Sequence, residues 1–214
     1  VTCLTGKQTT RWLRADATPD TPAEIAAFSN LAAGIGRGCL TYSPTRARNV
    51  GSVATVHDMD VLRAALGERK LNYLGYSYGT RIGAAYAEAY PDKVRGMILD
   101  GAVDPNADPI KADLAQAAAF QQAFNDYAAD CAEDPTCPLG TDPAKAVAVY
   151  QDLVNPLVNK PAKTDDPRGL GYNDALTGTI MALYSPTLWT HLKDGLEELS
   201  EGRGDTLLTL ADAL

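Results

Sequence analysis

Between residues 50 and 105 the apolar positions alternate between helical spacing and short continuous runs. Val53, Val56, Met59, Leu62 and Leu66 recur at helical intervals, which predicts a helix from about Ser52 to Leu66 with Gly67 as its stop. Leu71-Asn72-Tyr73-Leu74-Gly75 is a mostly apolar run of strand length, and a helical pattern from Thr80 to Tyr90 follows it until Pro91. Val94 to Asp100 reads as a second strand that runs out in the turn-like segment Gly101 to Pro105. Helix, strand, helix, strand is the order of a parallel sheet with crossover helices, an α/β pattern.

The flanks read as helices. Thr21-Pro22-Ala23-Glu24 is a capping box with proline at the first helical position, opening a helix through Ile25, Phe28 and Leu31 that is expected to fade at the glycines before Cys39. Tyr42 to Arg48, carrying Pro and Arg, reads as a loop. Beyond Pro109 comes a long Ala-rich helix, Ala112 to Ala132, with Leu114, Phe120, Phe124 and Tyr127. Further helices are predicted at Pro143 to Val158, Asn173 to Tyr184 and Thr187 to Leu199, with Asn159 to Gly171 as a linker. No strand signal follows Asp100. The expected division is residues 1–105 as a partial α/β core and 106–214 as a helical part. Two strands make a poor parallel sheet, which is normally buried on both faces and has several more strands. The chain is therefore expected to be a piece of a larger protein. Val1 without an initiator Met or signal peptide, and Leu214 inside an apolar-periodic stretch, fit that expectation.

Composition narrows the function classes. Apolar residues at 45% and charged residues at 21% of 214 are ordinary for a globular protein and exclude disordered and collagen-like classes. A net charge of −8 with no Lys/Arg cluster argues against nucleic acid and anionic membranes as partners. No apolar run approaches the roughly 20 residues needed to span a bilayer. Cys131 and Cys137 bracket a short polar turn; if they pair, Cys3 and Cys39 form the second bridge. The alternative is four reduced thiols in a cytosolic protein; neither pair has the surrounding Cys/His ligands of a zinc site. The disulfide reading points to an oxidising compartment, hence secretion.

Chemistry concentrates at Gly75-Tyr76-Ser77-Tyr78-Gly79, a G-x-S-x-G segment with an apolar strand before it and a helix after it. In that context the tight turn lifts a strained serine above the sheet, and Gly75 and Gly79 let neighbouring backbone approach. The following helix turns its positive end toward a developing oxyanion, with the Tyr78 backbone N–H as one donor. Ser77 is the expected nucleophile. The bland alternative is a Gly/Ser-rich connection without chemistry.

Tyr73 to Thr80, Gly83, Tyr86-Ala87, Tyr90-Pro91, Leu99-Asp100-Gly101 and Asp104-Pro105 together resemble the secreted bacterial tripeptidyl aminopeptidases. These belong to the prolyl-aminopeptidase-like group of α/β-hydrolase peptidases. Asp60, Leu62-Arg63 and Leu66-Gly67 resemble the helix that precedes the elbow in that group. The match covers roughly residues 50 to 105, and the helical remainder is compatible with the family's cap. The resemblance implies an α/β-hydrolase fold with a helical cap and a Ser, Asp, His triad in that chain order. It implies peptide substrates with a free N-terminus, short N-terminal peptides as products, and no metal or organic cofactor. Ser77 maps onto the nucleophile. The family's Asp and His lie beyond the cap and its glycine-rich oxyanion loop lies before Val1, so the acid and base are expected outside this chain.

Candidates within the chain fit less well. His57 precedes Ser77, the wrong order for this fold, and His191 sits among Leu188, Leu192, Leu196 and Leu199 on an amphipathic helix. Asp100 and Asp104 follow the second strand, where some α/β hydrolases carry their acid, but the family makes that turn structural. Asp58 and Asp60 read as capping or ion-pairing groups. Asp126, Asp130, Glu133 and Asp174 are carboxylates that could hold a substrate ammonium, or simply a solvated helix face, and nothing ranks them. The rival readings are an esterase on the same scaffold, and an inactive fragment or binding module.

Overall fold

The structure, a computed structural model, describes all 214 residues. Its elements run α1 (Gly6–Leu13), α2 (Pro22–Tyr42), α3 (Pro44–Asn49), α4 (Ser52–Ala65), β1 (Leu71–Tyr76), α5 (Tyr78–Ala89) and β2 (Val94–Asp100). After these come α6 (Pro109–Cys131), α7 (Ala146–Val154), α8 (Tyr172–Leu183), α9 (Trp189–Ser200) and α10 (Asp205–Asp212). They form two compact units, one of Val1–Cys3 with Gly38–Ala112, the other of Leu4–Arg37 with Asp113–Leu214. Residues 4–37 thus group with the later helices, not with the strands.

In the first unit β1 and β2 pair in parallel, with Leu74 opposite Ile98 and Gly75 opposite Leu99. Alternation of side chains along each strand sorts the sheet into two faces. Tyr73, Gly75 and Leu99 share the face that α5 covers, where Gly83 meets both Tyr73 and Leu99. On the other face Leu74, Tyr76 and Ile98 are 55%, 62% and 65% exposed. That open apolar face is unusual for parallel strands, which are normally covered on both sides.

Helix α4 ends at Ala65 with Leu66 as its C-cap, and Gly67 takes a positive φ of 72°, the left-handed stop expected of it. Of the apolar positions that mark α4, Val56 is buried, while Val53, Leu62 and Leu66 are exposed. Asp60 pairs with Arg63 at 2.7 Å and accepts from the Tyr86 hydroxyl at 3.0 Å. The Arg63 contact holds the Asp60 carboxyl below its usual range.

Two expectations need correction. The capping box does open α2, with Thr21 N–H donating to Glu24 at 2.9 Å, but the helix runs through Gly34, Gly36 and Gly38 to Tyr42. A β-carbon at Gly38 would collide with the Cys3 carbonyl, so this glycine permits a close approach instead of ending the helix. The segment 42–48, expected as a loop, contains α3, with Pro44 at its first turn where a missing N–H costs nothing.

All four cysteines are bonded, Cys3 to Cys39 and Cys131 to Cys137. Reduced thiols are thereby set aside.

The second unit is helical throughout, with only isolated bridges Ala162–Leu170 and Lys163–Arg203. Its core gathers Phe124, Tyr127, Val154, Leu157, Leu170, Leu192, Leu196 and Leu207. Leu207 of α10 is fully buried between Gly178 of α8 and Gly195 of α9; side chains at either glycine would run into it. The small disulfide loop is clamped by an ion pair from Lys193 to Asp134, whose Oδ1 also accepts the Thr136 N–H at 2.8 Å. The Lys193 hydrogen bond, then those of Thr136, hold the Asp134 carboxyl far below its ordinary value of 3.8.

A carboxyl held low when folded favours the folded state while it is ionised, and that contribution fades as pH falls below about 4. The melting temperatures of the native chain and Asp134→Asn should therefore differ at pH 7 and converge progressively below about pH 4. A gap constant from pH 7 to pH 2 in a melting series would contradict the clamp.

Candidate active site

Strand β1 delivers the chain into Ser77, which has φ 49° and ψ −121° and is the sole non-glycine residue with positive φ. Such a conformation costs of order 1–3 kcal/mol unless the surroundings enforce it. They do so on both sides. The Ser77 N–H donates to the Asp100 carbonyl at 3.0 Å, extending the β1–β2 ladder by one step. Its carbonyl accepts the Thr80 N–H at 2.9 Å and the Thr80 hydroxyl at 2.7 Å as α5 begins.

A serine at a helix N-cap usually turns its Oγ inward to cap the first turn. Here the backbone carbonyl takes that bond, so the Ser77 Oγ makes no capping bond, and the residue is exposed. The strained turn thus leaves the hydroxyl out of the helix cap. The Tyr78 N–H stands at the start of α5, where helix geometry supplies no intrahelical acceptor and the dipole favours negative charge. The Tyr78 ring lies to the side, its hydroxyl 2.7 Å from Ser52 Oγ and its face under Arg81.

The glycines of the motif serve a neighbour that the spacing alone gives no role. The Tyr73 ring wedges beneath the elbow and its hydroxyl donates to the Gly79 carbonyl at 2.7 Å. A β-carbon on Gly75 would lie 2.6 Å from Tyr73 Cε1 and 2.7 Å from the Gly79 carbonyl oxygen. One on Gly83 would lie 2.6 Å from the same ring atom and 2.8 Å from Leu99 Cδ2. Tyr73, Thr80 and Gly83 are the support that sequence reasoning left unassigned; the small residue one turn into α5 is the signal that could have found it.

The other candidates go elsewhere. His57 bonds through Nδ1 to the Tyr90 hydroxyl at 2.6 Å, and His191 is an exposed residue of α9. Asp100 meets Ser77 through its backbone carbonyl, while the Asp104 carboxylate closes a turn on the Asn106 N–H at 2.8 Å. Asp58, Asp130 and Glu133 are exposed, and Asp126 accepts from Gln122 at 2.8 Å. Asp174 is buried and caps α8 by accepting the Gly171 N–H at 3.1 Å; burial raises its carboxyl above the ordinary value. No three His, Cys, Asp or Glu side chains gather to hold a metal ion.

A parallel strand, a strained serine turn and a helix, with a helical unit following, define a class, and comparison with known families agrees. The profile described as alpha/beta hydrolase fold matches residues 35–193, and the chain belongs to that family. Over 171 residues it is 67% identical to serine protease Hip1 of Mycobacterium tuberculosis (strain ATCC 25618 / H37Rv), covering 77% of this chain and 33% of that protein. It is 49% identical over 166 residues to carboxylesterase B of the same organism, covering 77% and 32%. To the tripeptidyl aminopeptidase of Streptomyces lividans it is 39% identical over 129 residues, covering 59% and 24%. The chain thus spans about a third of the length of the first two relatives.

Gly83→Ala should force the Tyr73 ring aside and destabilise the fold by about 1–3 kcal/mol in chemical denaturation. Gly36→Ala, where a β-carbon meets nothing within 4 Å, should instead stabilise α2 by roughly 0.5–1 kcal/mol. Equal effects of the two would refute the wedge.

Proposed function

We propose that the protein is a serine hydrolase acting on peptides, with Ser77 as nucleophile. The observation that carries this is the strained, exposed Ser77 between β1 and α5, the one non-glycine residue held at positive φ. Ser77 Oγ attacks a substrate carbonyl as the triad histidine takes its proton, and the Tyr78 N–H takes part of the oxyanion charge. The intermediate then expels the amine, which receives that proton, and water hydrolyses the acyl-enzyme to free the acid and Ser77. The acid and the histidine of the triad belong to parts of the protein outside these 214 residues. Further strands there would also cover the open face of Leu74, Tyr76 and Ile98.

Peptide substrates are favoured by the 67% identity to a protein named as a serine protease. Release of short peptides from a free amino terminus is the finer reading, supported by the likeness to a tripeptidyl aminopeptidase. Secretion is supported by the two disulfides. An esterase is the second reading, favoured by the 49% identity to a protein named carboxylesterase B.

In the whole protein, Ser77→Ala should abolish labelling by a fluorophosphonate and lower kcat on a tripeptide amide by a factor on the order of 10⁶. The same amide with its amino group blocked should be turned over far more slowly. Equal turnover of blocked and free forms would remove the aminopeptidase reading. Hydrolysis of short esters without any peptide turnover would favour the esterase.

A further inference from the structure

Thr80 lies on the inner side of the elbow, only 2% exposed, and its hydroxyl is committed in two directions. It donates to the Ser77 carbonyl at 2.7 Å and accepts the Val103 N–H at 2.8 Å. Val103 follows the turn at Gly101, where the chain leaves β2 with a positive φ of 65°. One hydroxyl thus ties the residue after β1 to the loop after β2.

The Ser77 carbonyl is not an isolated acceptor. It belongs to the same peptide plane as the Tyr78 N–H, and in a trans peptide the two point in opposite directions. Whatever fixes the carbonyl fixes the N–H. The helical bond from the Thr80 N–H leaves the plane free to tilt about that single contact. A second bond from the hydroxyl, itself anchored to Val103, removes that freedom.

Resting on the reading of Ser77 as nucleophile, we infer that Thr80 is a positioning residue for the oxyanion site, its hydroxyl orienting the Tyr78 N–H through the shared peptide plane. An oxyanion donor matters only when charge develops on the substrate oxygen, so a tilted donor slows the chemical step and leaves ground-state binding nearly intact. Complete loss of one donor costs about 10²–10³ in kcat, and misalignment costs part of that.

The test compares Thr80→Val, Thr80→Ser and Ser77→Ala in the whole protein on a tripeptide amide. Each is also titrated with a trifluoromethyl ketone built on the same tripeptide, which adds Ser77 to give an oxyanion, and with the corresponding alcohol, which cannot. Thr80→Val should lower kcat about 10- to 100-fold with KM within about twofold. It should lose affinity for the ketone relative to the alcohol by a similar factor, and Thr80→Ser should restore most of both. If Thr80→Val does not fold, Thr80→Ala carries the same readout. A ketone-to-alcohol affinity ratio equal to that of the native protein overturns the inference, whatever the variant's stability. If that ratio holds while Ser77→Ala is inactive, the positioning role alone fails; if Ser77→Ala stays active, the nucleophile reading fails with it.

Discussion

The turn at Ser77 depends on a backbone conformation that an L-residue resists, held by hydrogen bonds at both ends of one residue. The N–H is bound by the last carbonyl of β2 and the C=O by Thr80 at the start of α5. Remove the parallel pairing and the first bond goes; remove the helix start and the second goes. The strain of about 1–3 kcal/mol is therefore sustained by the strand–helix–strand unit as a whole. In return the serine hydroxyl is relieved of capping duty, and the residue stands exposed.

Packing beneath the turn follows from the same constraint. The elbow lies close over the Tyr73 ring, and Gly75 and Gly83 are small because that ring fills the space their side chains would need. A ring wedge is stiff, and it holds the Ser77 turn and the first turn of α5 in a fixed relation. The sheet unit is otherwise sparsely buried, with Val56 and Tyr86 its principal buried apolar side chains and Leu74, Tyr76 and Ile98 facing outward. The helical unit has a continuous apolar core of its own, organised where α10 meets α8 and α9 around Leu207. The difference is physical: helices satisfy their backbone internally, whereas two parallel strands leave both outer edges unpaired.

Chain pattern and tertiary contact contributed different things. The strand–elbow–helix–strand order was legible in the sequence, as were the strand limits at Leu71 and Asp100 and the glycine stop at Gly67, because each rests on local signals of period, turn chemistry and capping. Glycines misled where they serve packing: Gly38 within α2 looks like a helix end, but it makes room for the Cys3 carbonyl. The α4 stripe marked its helix correctly but not its burial, since helical periodicity reports an apolar face without saying what covers it. The serine and its flanking glycines could be read locally, because a G-x-S-x-G between strand and helix constrains a few consecutive residues, and the α/β-hydrolase family followed from the resemblance carried by residues 50–105. Only the tertiary structure revealed that Tyr73 wedges the turn, that Thr80 ties it to Val103, and that residues 4–37 join the helical unit. Those facts depend on which distant segments meet, and no local periodicity encodes that.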